Sequence, residues 1–162
     1  DENSWNGTEY EKYGSAARLL AVFSFLWRGI PLVYSGQELP NTRRLKFFDK
    51  DEIPWSHEPV LHTFYKQMMH FRKSHPVFSA AADAWPAWIG TPYDDQLLAF
   101  SRRSQHSQVI VLLNFSSQSL TFTSADLGIR GTFNDLFTGE TLDWTNSAPV
   151  AFKPYDFLVG VS

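Results

Sequence analysis

The chain has no cysteine among its 162 residues. Disulfide bonds, thiolate catalysis and cysteine-ligated zinc are excluded together, while the compartment is left open between secreted, periplasmic and cytoplasmic. Positive charge is sparse and scattered. Fourteen Lys and Arg against seventeen Asp and Glu give a net charge of −3, with no basic run longer than a pair such as Arg43-Arg44 or Arg102-Arg103. A surface that tracks phosphates needs clustered cations, which argues against nucleic acid as a partner. Long apolar runs are missing as well. The longest, Leu19 to Trp27, is broken by Ser24 and falls far short of the ~20 residues of a membrane span. The five histidines (His57, His62, His70, His75 and His106) come no closer to ligand spacing than His57 and His62. On a helix those two stand about 140° apart, a poor basis for a shared metal. There is no Gly-x-Ser-x-Gly elbow and no glycine-rich phosphate loop, which sets aside a serine-hydrolase triad and a nucleotide cradle.

Aromatic residues, by contrast, are abundant: six Trp, six Tyr and fourteen Phe. Large rings are core fillers first and sugar-stacking surfaces second. With 43% hydrophobic residues the chain holds one domain or two small ones, each with a buried core. Ala16, Leu20, Phe23 and Trp27 recur at steps of three or four, predicting a helix from about Glu9 to Arg28 that stops at Gly29. Ile30-Pro31-Leu32-Val33-Tyr34 reads as a short buried strand of the parallel kind. Ser35 to Trp55 reads as a polar loop. A second amphipathic helix is predicted from about Glu58 to Ser74, capped by Ser56 or His57, with Pro59 in its first turn and His75-Pro76 ending it.

The texture changes near Pro76. Strands are predicted near Ala84–Ile89, Gln96–Arg102, Val109–Asn114, Ser119–Thr123, Gly131–Asp135, Val150–Lys153 and Phe157–Val161, with a further short one around Glu140–Trp144. Their spacing is that of an antiparallel β-sandwich. The expected class is α+β: a helix–strand–helix remnant of a (β/α)8 barrel over residues 1–76, followed by an all-β sandwich over residues 77–162.

Four segments carry a resemblance to the α-amylase superfamily (glycoside hydrolase family thirteen). Asp1, followed by polar residues, resembles the last residue of that family's Asn-His-Asp motif after strand seven. Gly29-Ile30-Pro31-Leu32-Val33-Tyr34-Ser35-Gly36-Gln37-Glu38 resembles its strand eight. Phe64-Tyr65-Lys66 through Phe71-Arg72-Lys73-Ser74-His75-Pro76 resembles the eighth helix and its exit. Ile110-Val111-Leu112-Leu113-Asn114-Phe115-Ser116 resembles a strand of the C-terminal domain. The resemblance implies the C-terminal fragment of a retaining hydrolase of α-linked glucans, either oligosaccharide or polysaccharide, with a transglycosylase or isomerase parent of the same superfamily as the alternative. It implies no required cofactor; a structural calcium in the parent is allowed but not readable.

Retaining chemistry uses two carboxyl groups about 5–5.5 Å apart. In the resembled family both would lie upstream of residue 1, so the fragment alone is expected to be inactive. Asp1 is identified as the parent's third carboxylate, which stabilises the transition state. Trp5 either stacks on a sugar or packs over the following helix. Gln37 and Glu38 lie just past the carboxyl end of the predicted strand, where barrels place functional groups. They either meet substrate or hold loop backbone or an Arg. Asp49, Asp51 and Glu52, interleaved with Lys46 and Lys50, read as a solvated loop, with a calcium loop as the alternative. A rival function is a carbohydrate-binding or interaction module presenting Trp85, Trp88 and Tyr93. Positions 85 and 88 of a strand would point to opposite faces unless a bulge intervenes near Pro86. Lacking barrel neighbours, residues 30–34 and the helix faces beside them are expected to expose apolar surface and drive self-association.

Overall fold

The computed structural model of the chain describes residues 2–55, 59–79 and 85–162. A short helix α1 (Glu2–Trp5) precedes α2 (Glu9–Tyr13). Thr8 starts α2 with a reciprocal capping box, accepting from the Glu11 amide while the Glu11 carboxylate accepts from its own. The single helix expected over Glu9–Arg28 is divided. Gly14 takes a positive φ of 49° that ends α2, and a 3-10 turn over Gly14–Ala16 leads into α3 (Ala17–Leu26). The periodicity ran through the break because a one-residue change of direction leaves the apolar spacing nearly intact. Helix α3 buries Ala17, Leu19, Ala21, Val22, Phe25 and Leu26. Helix α4 spans His62–Ser74 and follows Leu61, which provides no side-chain cap. The expected start at Glu58 and the caps Ser56 and His57 lie outside the described residues.

Residues 30–34 are not a strand, which corrects the expectation of a buried one. Ile30 is 98% and Leu32 77% exposed. A strand exists only through its ladder, and among the described residues nothing pairs with this segment. It is left as unpartnered apolar surface.

The β half forms where the turn spacing put it. The strands are β1 (Ala87–Trp88), β2 (Leu97–Arg103), β3 (Gln108–Asn114), β4 (Leu120–Thr123), β5 (Thr132–Asp135), β6 (Thr141–Asp143), β7 (Pro149–Phe152) and β8 (Phe157–Val161). Six of them make one sheet in the order β1-β2-β3-β8-β5-β6, and β4 pairs with β7 in a second. All pairings are antiparallel.

The larger sheet is buried on both faces. On one face Leu97, Ala99, Ile110, Leu112 and Phe133 pack against Leu120, Phe122, Val150 and Phe152 of the second sheet. On the other, Phe100, Val109, Val111, Leu113 and Val159 pack against Val22, Phe25 and Leu26 of α3 and Phe64, Met68 and Phe71 of α4. Burial on both sides explains why β3 is an unbroken apolar run in an antiparallel sheet. Gly160 of β8 allows this closeness: a methyl there would stand 2.8 Å from Ile110 Cγ1 and 3.2 Å from Phe133 Cβ. At the end of β3, Asn114 is fully buried and donates to the carbonyls of Gln118 and Lys153 while accepting from the Ser116 amide. One side chain thus ties three chain segments together.

Candidate functional site

The residues after position 34 form a turn that Gln37 organises. Its side-chain oxygen accepts from the Tyr34 amide at 3.0 Å, and its carbonyl accepts from the Tyr10 hydroxyl at 3.4 Å. The Glu38 carbonyl accepts from the Leu61 amide at 2.9 Å, fastening the turn to the approach of α4. The Gln37 side chain therefore holds loop backbone, whereas Glu38 does so only through its own main-chain carbonyl. Glu38 also keeps one carboxylate oxygen buried without a hydrogen-bond partner among the described residues. Beside the turn, burial raises the Glu9 carboxyl, and a hydrogen bond with Gln37 works against that rise. Burial pushes the Tyr10 hydroxyl up to about 12, and burial together with the Glu9 charge drives Tyr65 upward too. Glu9, Tyr10, Gln37, Asn41 and Arg43 line a small cleft; neither Trp5 nor Glu38 does.

Asp1 lies outside the described residues. Trp5 is 57% exposed and meets Phe47 and Phe48 at centroid distances of 5.6 and 6.0 Å. Its carbonyl accepts from Arg44, whose Nε bonds the Glu11 carboxylate. The ring thus belongs to an aromatic cluster with the 35–55 loop.

Within that loop Asp51 accepts from the Lys46 amide at 2.9 Å, from Arg43 Nη1 and from the Glu52 amide. These bonds, the Lys46 amide first, hold its carboxyl at about 2. A folded value below the ordinary one contributes stability above pH ~4 that is lost as pH falls toward 2. A carboxyl-carbon NMR titration should place the Asp51 midpoint near 2, and an acid-induced loosening of the loop should vanish in Asp51→Asn. A midpoint near 4 would contradict the geometry. Among the described residues no group of three or more His, Asp or Glu side chains is arranged to hold a metal ion.

Two further clusters gather at the end of α3, the first of them unread in the sequence. Arg72 of α4 donates to the carbonyls of Phe25, Trp27 and Gly29. Arg102 of β2, only 4% exposed, donates to Trp27 O at 3.2 Å and Val77 O at 3.3 Å. Two cations from different layers thus meet the carboxyl end of α3, where the helix dipole favours positive charge. The available signal was a charge closing an otherwise apolar strand pattern at Leu97–Arg102. The second cluster gathers Trp85 and Trp88 beside residues 27 and 28. Arg28 Cζ stands 4.0 Å from the Trp85 ring centroid, and Trp27 lies 4.9 Å from Trp88. Both indoles therefore pack beside the end of α3, where strand alternation alone would have sent them to opposite faces. Trp88 is in register with Phe100 on the helix side of the sheet, whereas Trp85 precedes the strand and is free of its alternation.

Residues 91–159 match the family model of the maltogenic amylase C-terminal domain. Alpha-amylase 2 of Dictyoglomus thermophilum is 31% identical over 144 residues, covering 80% of this chain and 23% of its own length. A cyclomaltodextrinase structure superposes with a TM-score of 0.70 at 18% identity, over 96% of this chain and 27% of that one. The structure of AmyP in complex with maltose gives 0.66 at 14% identity, over 94% and 34%. At those identities the superpositions speak for the fold alone. The chain spans 19–23% of the length of the curated relatives it matches. In sequence, then, the chain is similar to α-amylases over 80% of its length, with residues 91–159 matching the maltogenic amylase C-terminal domain.

Proposed function

We propose that these residues serve a retaining hydrolase of α-linked glucans, with residues 1–76 as the end of its barrel and residues 77–162 as a sandwich that braces it. The observation that carries this reading is the shared core. One face of the six-stranded sheet is occupied by α3 and α4, and Arg102 reaches from the sheet to the end of α3. A sandwich with a separate role would not leave Phe100, Val109, Val111, Leu113 and Val159 dependent on helices for cover. The substrate class follows from the relatives, which are named α-amylases, and from a similar fold holding maltose. In this reading Asp1 stabilises charge developing at the anomeric carbon, while nucleophile and acid come from other barrel strands. Trp5 and Glu38 stand at the rim.

The 162-residue chain alone should release no reducing ends from soluble starch. Joined behind the remaining barrel units it should yield products of retained α-configuration by proton NMR, and Asp1→Asn should then lower kcat by about 10²–10³-fold. Inverted products, or an unaffected kcat, would refute the assignment. By itself the chain should self-associate through Ile30, Leu32 and Tyr34, which are all exposed. Sedimentation velocity should show concentration-dependent oligomers that Leu32→Lys reduces; a monodisperse monomer would contradict this.

A further inference from the structure

We propose that Trp85 and Trp88 form a shelf that binds an α-linked glucan chain, separate from the turn carrying Gln37 and Glu38. The ligand class rests on the α-glucan reading above; the existence of the shelf rests on the structure. The two indoles are 68% and 63% exposed, although they are among the largest apolar side chains in the protein. Neither is loose. The Arg28 guanidinium covers one side of Trp85 at 4.0 Å. Trp88 leans on Trp27, which in turn stacks on Phe23 at 5.4 Å and meets Phe100 edge-on at 5.0 Å. A chain of rings thus runs from the core to Trp88 and immobilises it, and buried Pro86 stiffens the backbone between the two indoles.

Rings held in place before binding lose little rotamer entropy when a ligand stacks on them. A glucopyranose suits such a ring. Its C–H face is apolar and covers the indole, while its hydroxyls stay at the edge in water, so no polar group is buried unpaired. The strand carrying Trp88 is an edge of its sheet, which leaves room for a linear chain to pass. Neither indole belongs to the cleft beside Gln37.

The test is native electrophoresis of the whole chain in gels with and without amylopectin, repeated for Trp85→Ala and Trp88→Ala after far-UV circular dichroism shows each folded. Amylopectin should retard the parent chain, maltoheptaose should compete, and each substitution should weaken the apparent affinity at least ten-fold. Equal retardation of both variants, or no retardation of the parent, overturns the shelf and leaves the hydrolase reading intact. Retardation by a β-linked glucan alone sinks the ligand class and the reading it borrows. Oligomers that dissociate in the Trp variants without glucan binding assign the shelf to a second copy of the chain, and overturn the proposal as well.

Discussion

Arg102→Ala should lower the unfolding free energy by about 2–4 kcal/mol, measured by urea titration with tryptophan fluorescence. The guanidinium is buried in β2, bonds the Trp27 and Val77 carbonyls and lies 4.9 Å from the Phe78 ring. Hydrogen bonds from a charged donor contribute about 1.5–3 kcal/mol each, and a buried carbonyl left without its donor costs a further part of that. Arg72 still serves the Trp27 carbonyl, so the larger share of the loss falls on Val77. For a chain of this size a shift of roughly 5–15 °C in Tm corresponds. Arg102→Lys should recover less than half, because a point charge cannot span two carbonyls as a planar fork does. Exposed Arg103 is the control, with Arg103→Ala expected within about 0.5 kcal/mol. An equally small effect at position 102 would show that the contact between sheet and helix is incidental.

Phe100→Ala should cost about 3–5 kcal/mol, and the manner of the loss matters more than its size. Phe100 is fully buried between the sheet and α3, meeting Trp27 at 5.0 Å and Phe23 at 6.3 Å. If the helices and the sandwich share one cooperative core, far-UV helix signal and fluorescence should move together to the same lower midpoint. A helix signal that melts at an unchanged midpoint would mean that the two halves fold independently, and the bracing role would fall. Leu112, buried on the opposite face of the same sheet, should behave alike, because both faces belong to one slab.

Strand periodicity was legible wherever polar turns interrupt it. All eight strand regions predicted after residue 76 overlap a strand of the structure, because Thr138-Gly139-Glu140 and similar turns are local signals that need no partner. The helix over residues 9–28 was read through a break at Gly14, since apolar spacing carries little record of a local turn in the backbone. Residues 30–34 were read as buried because their composition is apolar, yet burial is supplied by neighbours and composition can only ask for it. The site fared similarly. Gln37 and Glu38 were located from their place after that segment, whereas Glu9, Tyr10 and Tyr65 join them only because α2 and α4 converge there.

By itself the sequence determined the chemistry that is excluded, the change from helix to strand near residue 76, and the α-amylase resemblance that its motifs carry. Tertiary structure decided which face of the sheet the helices cover, that Arg102 and Arg72 meet at the end of α3, and that Trp85 and Trp88 both pack beside it. The division has a physical reason. Periodicity, turns and caps arise between residues a few positions apart, while side chains separated by 25 to 75 positions, as Arg102 is from Val77 and Trp27, meet only when the whole chain has closed around them.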